Sequence, residues 1–329
     1  MFRSDTICTT IWMNSPADVA YPLRSMRLGR FVGDALRQIV WFITLWLIST
    51  TASSADDEVL YEKKLDPFPI PIFVPAGIGG RTFLFELDTG AGMDFVDPAL
   101  KPLLGMHREN QIVDSFGHLS VMEVFDAPAI KIGGWSLPPS EVGVSDMHRF
   151  RNHFGLDIRG YIGMNALKNC SLFLDFDHGR MKILKGSSNV SLGMESLDLG
   201  SLGGAQALIK CDLGGKPMEF LIDTGANSFL GLRHEAFAAL VANGMIETNG
   251  GRKIGADTGA GRMVHLIGHF TRGELLGVNL RNVPVDDTNT TNIIGLGFLL
   301  NFNSVIDLKN FKFCYRRRKN IPPIYNGRL

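Results

Sequence analysis

Gly79-Gly80-Arg81-Thr82-Phe83-Leu84-Phe85-Glu86-Leu87-Asp88-Thr89-Gly90-Ala91 and Gly214-Gly215-Lys216-Pro217-Met218-Glu219-Phe220-Leu221-Ile222-Asp223-Thr224-Gly225-Ala226 are two versions of one phrase. Each reads as a glycine turn, an apolar strand, and then Asp-Thr-Gly-Ala. The offset from Asp88 to Asp223 is 135 residues. A second block repeats at nearly the same interval. Tyr161-Ile162-Gly163 corresponds to Ile293-Ile294-Gly295, and Asp175 to Asp307, both at an offset of 132. Leu167 and Asn169 match Leu299 and Asn301, and Gly134-Trp135-Ser136-Leu137 parallels Gly277-Val278-Asn279-Leu280. Landmarks that recur in one order at a near-constant offset predict two structural copies of domain size.

The rest of the chain divides around these copies. The sequence has 329 residues, with 45% hydrophobic and 20% charged side chains, enough for two modest domains with real cores. Lys+Arg and Asp+Glu both number 33, so the basic excess of a nucleic-acid binder is missing. Thirty-seven glycines, with short runs of Phe, Val and Ile, favour many short strands and tight turns. Residues 39–48 (IVWFITLWLI) follow Arg24, Arg27, Arg30 and Arg37 and precede Thr-Ala-Ser-Ser-Ala at 51–55. That is the layout of a secretory signal peptide, with cleavage expected after Ala55 and Met26 as an alternative start. An uncleaved membrane anchor is the other reading of the run, which is short for a span of about 20 residues. The expected organisation is a leader at 1–55, a first domain at 56–185, a connection at 186–202, a second domain at 203–315 and a basic, solvated tail at 316–329. Export to the periplasm or to the outside follows from the leader. The segment 56–66 is either a short pro-piece or an N-terminal strand.

Strand-length runs are expected at Ile70–Val74 (an edge strand at best, given Pro71), Thr82–Leu87, Val121–Phe125, Ala129–Ile132, Leu172–Phe176 and Met181–Leu184. The second half offers Ala207–Cys211, Glu219–Ile222, Met263–His269, Val305–Leu308 and Lys312–Tyr315. Short helices are expected at Asp97–Leu104, Met164–Lys168, Arg233–Asn243 and Leu296–Leu300. The leader removed, Cys170, Cys211 and Cys314 remain, too few and too odd for a disulfide scaffold. No spacing calls for a metal. His265 and His269 have an i, i+4 spacing but lack the Glu of a metalloprotease motif.

One Asp-Thr-Gly is an ordinary turn. Two, each ending an apolar strand and each followed by an apolar-apolar-Gly landmark, can bring two carboxylates face to face. Such a pair cannot both ionise easily and shares one proton. These residues resemble the retropepsin-type aspartic proteases in their single-chain, duplicated bacterial form. The match covers roughly 67–315. The resemblance implies an all-β fold of two homologous acid-protease-like β-barrel lobes related by a pseudo-twofold axis, with few short helices. It implies an aspartic endopeptidase, a hydrolase, in which Asp88 and Asp223 form the catalytic dyad. Thr89, Gly90, Ala91, Thr224, Gly225 and Ala226 would support the dyad. Ile162, Gly163, Ile294 and Gly295 would form an apolar floor beneath it. A flap is expected in each copy, with Phe116 and Gly117 at one tip and Gly259 and Gly261 at the other. The third Asp-Thr-Gly-Ala, at 257–260, lies in that second flap and has no partner at the repeat offset, so a hairpin tip is expected there. Asp175 and Asp307 are expected to be turn carboxylates. No cofactor and no metal are implied. The partner would be an extended polypeptide substrate, bound by a monomer, with no nucleic acid and with membrane contact only through an uncleaved leader.

Three departures stand beside the resemblance. Ala91 and Ala226 replace the hydroxyl residue common at that place, which should leave the dyad titrating higher and its optimum closer to neutral than strongly acidic. Gly92-Met93 and Asn227-Ser228 differ after the motif, so the cleft is asymmetric. Glu86 stands where the second copy has Leu221, on the face of its strand that carries Asp88. It either tunes the dyad or is solvated. A non-catalytic peptide-binding protein on the same scaffold is the alternative to the enzyme.

Overall fold

The computed structural model describes residues 58–66, 70–113, 119–186, 190–201, 207–248, 250–251, 253–258, 261–289 and 291–319. The leader with its apolar run at 39–48, the flap positions Phe116, Gly117 and Gly259, and the end of the chain from 320 lie outside them. Among the described residues no helix is long and apolar enough to cross a membrane.

The chain is mostly β. Its two quoted phrases fold as hairpins of the same design. Phe73–Ile78 turns into Arg81–Leu87 through Gly79-Gly80, at φ 57° and 78°, and Ala207–Leu213 turns into Lys216–Ile222 through Gly214-Gly215, at φ 64° and 76°. Two consecutive left-handed residues make the tight turn whose twist suits a β-hairpin, and glycine adopts them without strain. The third strand of each arrangement runs parallel to the second. Ile158–Ile162 pairs with Arg81–Leu87, and Ile293–Ile294 pairs with Lys216–Ile222. Each then leads into one helical turn, Met164–Leu167 or Leu296–Leu299, close to the expected positions.

A nine-stranded sheet holds the first arrangement, running from His107–Val113 at one edge to Trp135–Ser136 at the other. A fourteen-stranded sheet holds the second and extends back to Val59–Lys64. Neither path closes on itself among the described residues, so the expected β-barrels are not closed. The smaller sheet ends in the two-residue strands Lys131–Ile132 and Trp135–Ser136, and the first of these meets Phe73–Ile78 at Gly77 alone. Ladders that short cannot carry a sheet round on itself.

In the larger sheet Ser171–Asp175 lies antiparallel to Phe302–Asp307, with Leu172 opposite Ile306 and Phe173 opposite Val305. Phe173 and Val305 are 132 residues apart, the offset of the later sequence landmarks. Phe173 and Val305 are the pair in this ladder that stands at that offset.

Several expectations shift. The strand expected at Ile70–Val74 runs instead from Phe73 to Ile78, paired on both sides, so it is not an edge. Pro71 precedes it, and the exposed Pro75 within it is left clear by the flanking ladder, which engages only Gly77. The segment 56–66 supplies a strand, Val59–Lys64, laid against Arg180–Leu184. The connection at 186–202 contains Glu195–Ser201, which joins Lys312–Arg317 to Ala207–Leu213. Arg316 and Arg317 belong to that last strand rather than to the tail, with their side chains exposed. Arg318 is anchored too. Its Nε donates to Asp177 (2.9 Å), its guanidinium donates to the Leu300 carbonyl (2.7 Å), and it lies over the Phe176 ring. The helix expected at Asp97–Leu104 is a 3-10 helix, Pro98–Leu103, capped by the Asp97 side chain. Pro102 removes an N–H from its interior and keeps it short. Arg233–Asn243 is observed as an α-helix over His234–Ala242. One helix was not expected at all, His148–Phe154, which ends at Gly155 in the left-handed conformation.

Candidate active site

The two Asp-Thr-Gly turns meet. Each turn folds locally in the same way. Asp88 Oδ1 accepts the N–H groups of Gly90 (2.8 Å) and Ala91 (3.0 Å), and Asp223 Oδ1 accepts those of Gly225 (2.9 Å) and Ala226 (3.0 Å). The apolar-Gly strands hold the turns from behind. The Ile162 carbonyl accepts the Asp88 N–H and the Ile294 carbonyl accepts the Asp223 N–H, both at 3.0 Å. The helical turns that follow complete the grip, with Met164 donating to the Ala91 carbonyl and Leu296 to that of Ala226.

The threonines tie the two turns together reciprocally. Thr224 Oγ1 accepts the Thr89 N–H and Thr89 Oγ1 accepts the Thr224 N–H, each at 3.1 Å. In the same reciprocal sense Thr89 donates to the Ile222 carbonyl and Thr224 to the Leu87 carbonyl, each at 2.7 Å. Both threonines are fully buried. The glycines set the closeness of approach. A Cβ on Gly90 would fall 2.5 Å from Asp223 Cγ, and one on Gly225 would fall 2.7 Å from Asp88 Cγ. Each carboxyl thus rests on the glycine of the other turn, and no larger residue fits there. Gly163 and Gly295 are equally tight, since a Cβ would meet the carbonyl oxygens of Met93 and Ser228 at 2.3 Å.

The electrostatics follow from this enclosure. Asp88 and Asp223 keep part of their surface open, while protein atoms crowd the other sides. Burial raises Asp88 above the usual carboxylate range, against the pull of the Gly90 and Ala91 N–H groups. Asp223 is raised well above it, by burial first and by the neighbouring Asp88 charge second. Two carboxyls this close titrate as a unit, so the single shared proton belongs to the pair. A pair of this kind offers an acid and a base at one point in space.

All eight expected dyad and dyad-support residues are therefore brought together, with Ile162, Gly163, Ile294 and Gly295 directly behind them. Among the flap positions Gly261 is described. It opens the strand Gly261–Phe270, opposite Thr258 of Lys253–Thr258, so the third Asp-Thr-Gly-Ala begins at the end of a hairpin. Asp257 there lies opposite Arg262. Asp175 and Asp307 close turns: Asp175 accepts the His178 N–H (3.1 Å) and Asp307 accepts the Asn310 N–H (3.0 Å). Cys170, Cys211 and Cys314 are unbridged. Among the described residues no cluster of three or more His, Cys, Asp or Glu side chains could hold a metal.

Two polar groups beside the site went unread in the sequence. Asp94, 1% exposed, accepts the Gly163 N–H at 2.7 Å, whereas the corresponding Gly295 N–H donates to the Phe229 carbonyl. Burial pushes the Asp94 carboxyl up to about 7, against the Gly163 N–H and the Asn165 amide. Asp94 and Phe229 each stand six residues after their Asp-Thr-Gly aspartate, so the repeat itself marks the difference. The second group is the Tyr161 hydroxyl, buried beside Glu86 and without a hydrogen-bond partner among the described residues. Glu86 is 1% exposed, so it is not the solvated carboxylate that the sequence allowed.

No protein-family model matches this chain, and no curated protein matches it.

Proposed function

We propose that the chain is an aspartic endopeptidase built from two homologous lobes related by a pseudo-twofold axis, with Asp88 and Asp223 as its catalytic dyad. The observation that carries this reading is the reciprocal set of bonds between the two Asp-Thr-Gly turns. Every bond that Thr89 makes toward the second turn has a counterpart made by Thr224 toward the first. The facing of Phe173 and Val305 at the repeat offset supports the same axis.

In this mechanism the pair carries one proton and one negative charge. The ionised carboxylate takes a proton from a water molecule as its oxygen attacks the scissile carbonyl carbon. The protonated carboxyl donates to the carbonyl oxygen, giving a tetrahedral diol with no covalent bond to the enzyme. A proton then passes from the dyad to the leaving nitrogen as the C–N bond breaks. The two pairs of turn N–H groups hold the carboxylates in place through the cycle, so little reorganisation accompanies the shift of charge. An extended polypeptide would lie across the two turns, beneath hairpins from each lobe, one of which is Lys253–Thr258 with Gly261–Phe270. Export through the leader would place this activity outside the cytoplasm.

The test is cleavage of a peptide library by the chain from residue 56 onward, across pH, beside Asp88→Asn and Asp223→Asn. Cleavage by the wild type that each substitution abolishes is the expected result. Identical behaviour of all three proteins would refute it and favour a peptide-binding role. With alanine at both 91 and 226, no side-chain hydroxyl stabilises the dyad anion there. The optimum is expected nearer neutral than strongly acidic, and one below about pH 3.5, under the usual Asp value of about 3.9, would refute that expectation.

A further inference from the structure

The two copies differ most in chemistry one step behind the dyad. Across the first sheet Phe73, Glu86 and Tyr161 stand side by side on neighbouring strands, and Phe95 lies beyond Tyr161. The corresponding row in the second copy is Leu208, Leu221 and Ile293, all apolar. Side chains two apart on a strand share a face, so Glu86 is on the side of Asp88. The unexpected helix closes this row from above. Phe150 meets the Tyr161 ring edge-on at 5.5 Å and Phe154 meets the Phe73 ring at 5.2 Å, so the helix spans both neighbours of Glu86. Asp97 pins the helix by accepting from the Met147 N–H and the Arg151 guanidinium. In the second copy the matching connection, between Pro284–Asn289 and Ile293–Ile294, is three residues long and has no such helix.

We propose that Glu86, backed by Tyr161, is a positioning residue of the aspartate pair: a third buried carboxyl that keeps the pair singly protonated further toward neutral pH than two aspartates alone would be. The functional half of this proposal rests on the proteolytic reading above. Neither Glu86 oxygen has a hydrogen-bond partner among the described residues. The cations on the surrounding elements are engaged elsewhere. Lys63 bonds the Phe73 carbonyl, His148 bonds Asp146, and Arg151 and Arg159 bind Asp97. Arg149 is half-buried on the helix and His153 lies against Phe154. The groups that reach Glu86 electrostatically are Asp88 and Asp223, both of which favour its neutral form, as burial does first. Tyr161 is held neutral by burial and then by Glu86 and Asp88.

The order of ionisation follows. The first negative charge settles on the aspartate pair, where four N–H groups receive it. The next has two places to go: onto the pair, against a carboxylate in contact, or onto Glu86, two residues along. It goes to Glu86 provided that the repulsion between carboxylates in contact, which falls with distance, exceeds the cost of charging a buried carboxyl that has no donor among the described residues. Once charged, Glu86 repels a second charge on the pair, and the last proton of the pair is retained to higher pH. Such coupling is reciprocal and shifts both groups.

Two variants separate this from a structural role. Glu86→Gln keeps the shape without the charge, and Glu86→Leu installs the residue that the second copy carries at Leu221. The upper titration of the pair is followed by carbon-13 NMR of protein labelled at the aspartate carboxyls, a readout independent of activity. In both variants this transition is expected to fall by about one pH unit, the lower one staying in place. The alkaline limb of kcat/KM should fall with it, costing roughly tenfold activity on that side. An upper transition unchanged in Glu86→Gln would overturn the proposal. Uniform loss of activity at all pH values, with both limbs unmoved, would overturn it in favour of packing alone. A transition that shifts in the variants while the wild-type chain cleaves nothing would support the coupling and refute the proteolytic reading instead.

Discussion

Replacing Asp94 by Asn should make the protein more stable at neutral and alkaline pH while leaving it almost unchanged in acid. The buried carboxyl rises from its usual 3.8 to about 7, a difference of about 3 units. Each unit is worth about 1.4 kcal/mol, so the group ties roughly 4 kcal/mol of folding free energy to pH. The sign follows from proton counting. Between pH 3.8 and 7 the folded chain holds a proton that the unfolded chain has lost, so stability falls as pH rises through this window. Asn cannot ionise, and its side-chain oxygen can still accept the Gly163 N–H. The variant should therefore match the wild type near pH 4 and exceed it by about 2–4 kcal/mol near pH 8. Glu86 and the aspartate pair titrate in both proteins, so their contributions cancel in the difference. Urea unfolding at half-unit steps from pH 4 to 8.5 measures it. A difference that stays constant across that range, or that grows in acid, would refute the reasoning.

Three further outcomes follow from the same geometry. Thr89→Val and Thr224→Val each delete a hydroxyl that donates one buried bond and accepts another. Each should cost about 2–4 kcal/mol by urea unfolding and lower activity, while Ser at either position restores most of both. Gly90→Ala drives a methyl onto Asp223 Cγ from a backbone that tolerates alanine. It should leave the circular dichroism spectrum intact and lower kcat at least a hundredfold, roughly what a misplaced reacting group costs. Arg318→Ala removes the donors to Asp177 and Leu300 and should cost about 2 kcal/mol of stability with no change in pH profile, checked by thermal melts and kinetics together.

The parts legible in the sequence are those written in local chemistry. Glycine pairs at 79–80 and 214–215 demand a tight turn, apolar runs before each Asp-Thr-Gly demand a buried strand, and the glycines at 163 and 295 mark where helical turns begin. These place the aspartates, threonines and glycines of the site from local chemistry alone. The helix His148–Phe154 was hidden because its apolar stripe is only two residues, Phe150 and Phe154, too short a pattern to read as a helix. It is held by Asp97, fifty residues before Met147, and by rings landing on Phe73 and Tyr161. Asp94 and Tyr161 were hidden for another reason. Their burial is set by neighbouring strands, and only comparison with Phe229 and Ile293 singles them out. Glu86 was seen as a departure from Leu221, but whether it met water or protein depended on that same unforeseen helix. Basic runs mislead in the opposite direction: of the expected tail, Arg316 and Arg317 are exposed as read but end a strand, and Arg318 is an anchor.

The pairing of Ser171–Asp175 with Phe302–Asp307 bears on how the chain is made. As synthesis proceeds, the first half completes its own hairpin with Arg180–Leu184 and then waits, one long edge bare, for a strand that emerges some 130 residues later. At 5–20 residues per second that wait is on the order of ten seconds. During it the bare edge is open to other strands, and the same edge on another nascent chain would set Phe173 against Phe173. A truncated product ending before residue 302 should therefore be a homodimer or an aggregate rather than a monomer. The late strand acts as an internal chaperone, whose arrival commits each chain to itself.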